Sequence, residues 1–146
     1  MNPMPSEVAA APQQPTRAAP SRSRRAYLIL ASIFFLGVAA QAFFAGAGIF
    51  VGGSWMLWHI ALGHLLTSPL PLIPLAMVIL SFTGRLPRAD KQLCGLLFLL
   101  AMIQPVFLYL RGVAPILAAR HPLNALLLFA LPLYLVMRAR QMLRET

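Results

Sequence analysis

Apolar residues run without a charge from Ala26 to Gly84, 59 positions with no Asp, Glu, Lys or Arg. A helix crosses a bilayer with roughly 20 apolar residues, so this stretch is about three times as long as one crossing requires. Its internal punctuation divides it. Tyr27 to Val51 predicts a first span of about 37 Å as helix, enough to cross with some tilt. Val51-Gly52-Gly53-Ser54 reads as a turn, and Trp55 to Phe82 as a second span. Pro69, Pro71 and Pro74 lie in its latter half. Each removes a helical N–H, so the second span is expected to kink or break there. After a short charged loop, Gly84 to Gln92, a third span covers Leu93 to Leu110. A fourth runs from about Pro115 to Met137, interrupted near its start by Arg120 and His121. Four helices joined by short connections predict an all-α, up-down transmembrane bundle over residues 26–141, with spans at about 27–51, 55–82, 93–110 and 115–137.

Residues 1–25 have a different texture. Pro, Ala, Gln, Ser and Arg dominate and little there can be buried, which predicts a disordered basic tail. The tail meets the first span at Arg24-Arg25-Ala26-Tyr27-Leu28, a pattern resembling a twin-arginine export signal, with Ala40-Gln41-Ala42 resembling a peptidase site. The apolar run continues to Val51, well past the 7–15 residues of a signal's hydrophobic region, so an uncleaved first span is expected.

Composition narrows the function classes. Sixty per cent of residues are hydrophobic and 10% charged, against about 25% charged in soluble domains. The formal net charge of +9 is topological in origin. With the N-terminus in the cytoplasm, ten of the 12 Lys and Arg fall inside and only Arg111 and Arg120 outside, so both termini are expected in the cytoplasm of a bacterial inner-membrane, multi-pass protein. No basic domain interleaved with aromatic residues suggests nucleic acid as a partner; the lipid bilayer and a redox partner or membrane complex are the expected ones. Glu7, Asp90 and Glu145 are the only acids and none lies inside an apolar stretch, which argues against intramembrane carboxylate relays and two-carboxylate catalysis. A single cysteine, Cys94, excludes an internal disulfide and a CxxC site, and is expected as an inert or acylated thiol.

The few polar residues within the spans form a repeat. Gln41 is followed 18 residues later by His59, and Gln104 is followed 17 residues later by His121. This spacing suggests two similar helical hairpins related by an axis along the membrane normal. Gly37, Gln41, Ala45 and Gly48 share a helical face, a small-residue stripe that admits a close neighbour. His59 has Gly63 one turn deeper and His121 has Ala125, leaving room beside each imidazole. His64, about 140° around the helix from His59, is expected to face elsewhere. Two histidines at matching depth on the second and fourth helices are what bis-imidazole haem ligation needs, with Arg111 and Arg120 as cationic partners for the propionates. Interhelical or interfacial hydrogen bonding explains the same residues without a cofactor, and quinone or bare-metal binding are further alternatives. Trp55 and Trp58 suit an interfacial belt.

Gln41-x-Phe-Phe-Ala-Gly46-x-Gly48, His59-x-x-x-Gly63-His64, Gly84-Arg85-Leu86-Pro87, Gln104-Pro105 and His121-Pro122-x-Asn124-Ala125 resemble the pattern of a family of small four-span bacterial membrane proteins of unassigned function, over about residues 27–140. More distantly, Gln in odd helices and His at the starts of even ones is similar to the four-helix haem bundles of haem A synthase. That resemblance implies haem ligation by His59 and His121. Only one such bundle is present and no acid stands near the first His, so the synthase's oxygenase chemistry is not implied. A b-type haem protein for electron transfer or redox sensing, rather than an enzyme, is the first expectation. A structural or accessory subunit is the second, and a synthase-like enzyme a distant third.

Overall fold

The computed structural model describes residues 22–145. Its element order is α1 (Arg22–Phe50), α2 (Ser54–Thr67), α3 (Leu72–Thr83), α4 (Arg88–Tyr109), a 3₁₀ turn (Leu110–Gly112), α5 (Pro115–Ala118) and α6 (Arg120–Arg144). Grouped as α1, α2 with α3, α4 with the 3₁₀ turn, and α5 with α6, they form four helical stretches long and apolar enough to cross a bilayer. The described residues contain no strand. Neighbouring spans run antiparallel and close a ring: α1 packs on α2, α3 and α6, and α4 packs on α3 and α6. One end of the bundle is therefore basic, carrying Arg22, Arg24 and Arg25 with Arg85, Arg88, Lys91, Arg138, Arg140 and Arg144.

The helices extend further at that end than the apolar runs suggest. The first helix starts at Arg22, so the basic cluster expected in the disordered tail is helical from Arg22 onward; residues 1–21 of that tail lie outside the described residues. The third span starts at Arg88, behind Pro87, and the fourth continues to Arg144. Long basic side chains can carry a helix past the apolar boundary, because their stems lie on apolar surface while the charge reaches water.

The second span breaks where its prolines predict. Thr67 ends α2, a cis Ser68–Pro69 bond follows, and α3 resumes at Leu72 with Pro74 in its first turn. Pro tolerates that first turn because its missing N–H would have no helical partner there. The break lets the two halves take different neighbours. α3 packs on both α1 and α4, whereas α2 packs on α1, touches α4 only slightly, and comes nowhere within 8 Å of α6, Cα to Cα. The fully buried side chains concentrate accordingly in the basic half: Tyr27 and Phe34 on α1, Met77 on α3, Leu97 and Ala101 on α4, Leu135 on α6.

The small-residue stripe of α1 meets α2. A Cβ at Gly37 would lie 3.0 Å from Leu66 Cδ2, and one at Gly48 would lie 2.9 Å from Met56 Cε and 3.1 Å from the Met56 backbone N. Trp55 stacks on Phe44 at 6.0 Å and meets the edge of Phe43 at 5.9 Å, closing the far end with an aromatic cluster suited to a headgroup belt.

The turn after α3 forms a Schellman motif: Leu86 N–H donates to Ser81 O at 2.9 Å and Arg85 N–H to Phe82 O at 3.0 Å. The left-handed position of that motif, which favours glycine, is held by Arg85 at φ 51°. Arg85 is exposed, and among the described residues its side chain makes no hydrogen bond that replacement would remove. Arg85→Gly is therefore expected to stabilise the protein by about 0.5–1 kcal/mol, read as a higher unfolding midpoint in detergent; a lower midpoint would show that the guanidinium contributes more than the backbone strain removes.

Candidate functional site

In the far half of the bundle, where α2 stands off from α4 and α6, lies a cavity of about 510 Å³. That is within the ~300–1,000 Å³ range of small-molecule and cofactor sites. Its wall is apolar apart from Gln41, His59, His64, Thr67, Ser68, Gln104 and His121. All four spans contribute.

The structure brings six of the eight expected site residues to this cavity: Gln41, His59, Gly63, Gln104, His121 and Ala125. Arg111 and Arg120 are not among the lining residues and are exposed. Arg111 sits in the 3₁₀ turn and Arg120 opens α6, and among the described residues no Lys or Arg lines the cavity. These two arginines are expected as partners of propionates at the membrane surface, and both stand exposed. His64 departs from expectation and shares the cavity with His59. A cavity bounded by four helices takes in a wide sector of α2, so an offset of about 140° does not exclude it. Among the described residues no three His, Cys, Asp or Glu side chains group as a metal cluster.

The Gln–His repeat is a repeat of hydrogen bonds. His59 Nδ1 lies 3.0 Å from the Gln41 carbonyl oxygen, and His121 Nδ1 lies 3.1 Å from the Gln104 carbonyl oxygen. A carbonyl can only accept, so each Nδ1 carries the proton and each neutral imidazole keeps its lone pair on Nε2. This is the arrangement that orients a metal-ligating histidine and raises its basicity. Beyond that shared bond the hairpins differ. In the second, Asn124 Nδ2 donates to Gln104 Oε1 at 2.6 Å and to Leu100 O at 2.9 Å. That fixes the amide so that Gln104 Nε2 faces His121, 3.2 Å from its carbonyl oxygen and 3.3 Å from its Nε2. In the first, the room expected beside Gly63 is taken by Gln41, whose Nε2 would lie 2.7 Å from a Cβ at that position.

A second polar cluster lies at the basic end, and the sequence reading did not foresee it. Asp90 is wholly buried in the first turn of α4 and accepts two hydrogen bonds from Arg138, Nε to Oδ1 at 3.0 Å and Nη2 to Oδ2 at 2.8 Å. Nearby, Tyr27 Oη and Cys94 Sγ are hydrogen-bonded at 3.2 Å. Cys94 is fully buried, so the acylation considered for it is closed off. The apolar pattern alone puts Asp90 in a charged loop and gives Arg138 only a topological role. The available signal was that Asp90 is the one acid between Glu7 and Glu145.

Comparison with known proteins places part of this chain. Residues 41–111, from Gln41 through the first hairpin's His59 to the end of the third span, match the model of a family of unknown function (DUF6220). No curated protein matches. No solved structure matches. The class defined by fold and composition is that of a four-span, all-helical membrane protein similar over residues 41–111 to that family.

Proposed function

We propose that the cavity holds one b-type haem, with His59 and His121 as the residues that would hold its iron, for electron transfer or redox sensing in a bacterial cytoplasmic membrane. The observation that carries this reading is the gap between α2 and α6: the two helices do not approach within 8 Å, Cα to Cα, yet each brings to the cavity wall an imidazole whose Nδ1 proton is held by a carbonyl, so that Nε2 is the nitrogen left for iron; His121 Nε2 would exchange its contact with Gln104 Nε2, 3.3 Å away, for the metal. A flat macrocycle needs such a slot, and iron needs such nitrogens. The residues fit in ligand chemistry, volume and apolar lining. Among the described residues no Lys or Arg lines the wall.

When bound, the haem supplies a one-electron couple at its iron. The chain's own residues orient and seal. The Gln41 and Gln104 carbonyls hold the two rings by their Nδ1 protons, and Ala125 keeps the wall thin below His121, while the surrounding leucines exclude water. Detergent-purified protein expressed with haem supplied is expected to show a Soret band of a low-spin species, and its absence would defeat this reading. The second reading is a structural or accessory subunit without cofactor. It is favoured by the hydrogen bonds that Gln104, His121 and Asn124 already make among themselves.

The same proposal places both termini in the cytoplasm, from the concentration of Lys and Arg at one end of the bundle. A cysteine introduced at Arg88 is then expected to be shielded from a membrane-impermeant thiol reagent in intact cells, and one at Val113 to be labelled; the reverse pattern overturns the orientation.

A further inference from the structure

The two hairpins share their Gln–His bond but leave their glutamine side chains in different states. Gln104 uses both amide atoms within the protein. Gln41 Oε1 is buried with no hydrogen-bond partner, and Gln41 Nε2 makes no hydrogen bond among the described residues. The difference has a sequence cause. Asn124 stands three residues after His121, whereas Leu62 stands three residues after His59 and has nothing to donate. Buried amide oxygens are nearly always satisfied, and Gln41 lines the cavity, so a turn of its amide toward a ligand would give the enclosed Oε1 the partner it lacks.

We propose that Gln41 is the polar contact of the cavity's occupant and selects a porphyrin carrying an O–H group at its edge; this rests on the haem reading above. An amide offers one acceptor and a donor. A carboxylic acid or a hydroxyl offers both in return, so either completes Gln41. Because among the described residues no Lys or Arg lines the cavity, a carboxyl there would be held in its neutral, donating form, since an unpaired carboxylate is costly to desolvate. The shared chemistry is the O–H donor, whether on a propionic side chain or on another ring substituent.

The full-length protein in detergent is titrated with three probes, followed by the Soret change: iron protoporphyrin IX, its dimethyl ester, and the dimethyl ester of the analogue with hydroxyethyl groups in place of vinyls. The wild-type protein should bind at least one O–H-bearing probe about tenfold or more tighter than the plain dimethyl ester. Preference for the free acid alone identifies the carboxyl, and recovery with the hydroxyethyl ester identifies a hydroxyl. Leu62→Asn, which places an amide at the register of Asn124, should bring the three affinities together while the Soret position stays put. Gln41→Leu, similar in size but without the amide, should level them too if Leu62→Asn does not fold. Equal binding of all three probes by the wild-type protein overturns the role of Gln41 and leaves the haem reading standing. No Soret band with any probe defeats the haem reading and this proposal with it.

Discussion

Arg138→Ala should destabilise the protein by about 3 kcal/mol, the largest stability loss expected from any single polar substitution. Asp90 has no exposed surface and its carboxylate is held by both nitrogens of one guanidinium edge, at 2.8 and 3.0 Å. Removing the arginine leaves that carboxylate buried without a countercharge. The figure is set at the lower end of the range for buried pairs because Arg138 itself is 35% exposed, and its own desolvation is incomplete. The reverse deletion should cost less, since a partly exposed guanidinium freed of Asp90 can turn to water or lipid phosphate. Replacing both partners by leucine should return most of the loss, leaving a deficit of about 1 kcal/mol that includes the favourable placement of an acid in the first turn of α4. Unfolding midpoints of the two single variants and the double variant in detergent form the test. A double variant as unstable as Arg138→Ala would mean that the damage is lost packing, with buried charge playing little part.

If the cavity holds the proposed haem, His59→Ala and His121→Ala should each abolish its low-spin bis-imidazole spectrum, because each would remove one of the two nitrogens proposed to hold the iron. His64→Ala should keep it: His64 shares the cavity but has no carbonyl fixing its Nδ1, and it is exposed. Loss of a ligand and loss of the fold are separable. Each histidine makes its bond to a backbone carbonyl, worth about 1 kcal/mol, so the alanine variants should remain folded. Added imidazole should then restore the low-spin spectrum by occupying the vacated position, which a structural role would not allow. A spectrum lost in His64→Ala and retained in His59→Ala would move the ligand assignment from one residue of α2 to the other. A folded wild-type protein with no Soret absorbance would return both histidines to interhelical bonding.

Gln41, His59, Gln104 and His121 were legible as a set because polar side chains are rare and costly in these spans, so their spacing stood out against an apolar background. Their convergence on one cavity was not. Spacing along a helix gives depth and angle, but the width of the opening depends on how far α2 stands away from its neighbours.

Class and scaffold were readable from the order of residues: four apolar helices, their succession, a break at the prolines, and two matched Gln–His pairs. These follow from local and one-dimensional physics, because the bilayer demands about 20 apolar residues per crossing, proline removes a donor wherever it stands, and the periodicity of a helix is constant. Tertiary structure alone decided which half of the bundle is packed and which is open, that Asp90 pairs with Arg138 across 48 residues, and that Asn124 completes Gln104 while Leu62 leaves Gln41 open. Each of these depends on which faces of distant helices meet, and helices so uniformly apolar carry little amphipathic bias to announce their inward faces. Packing and a few hydrogen bonds make that choice, and those exist only once the helices are side by side.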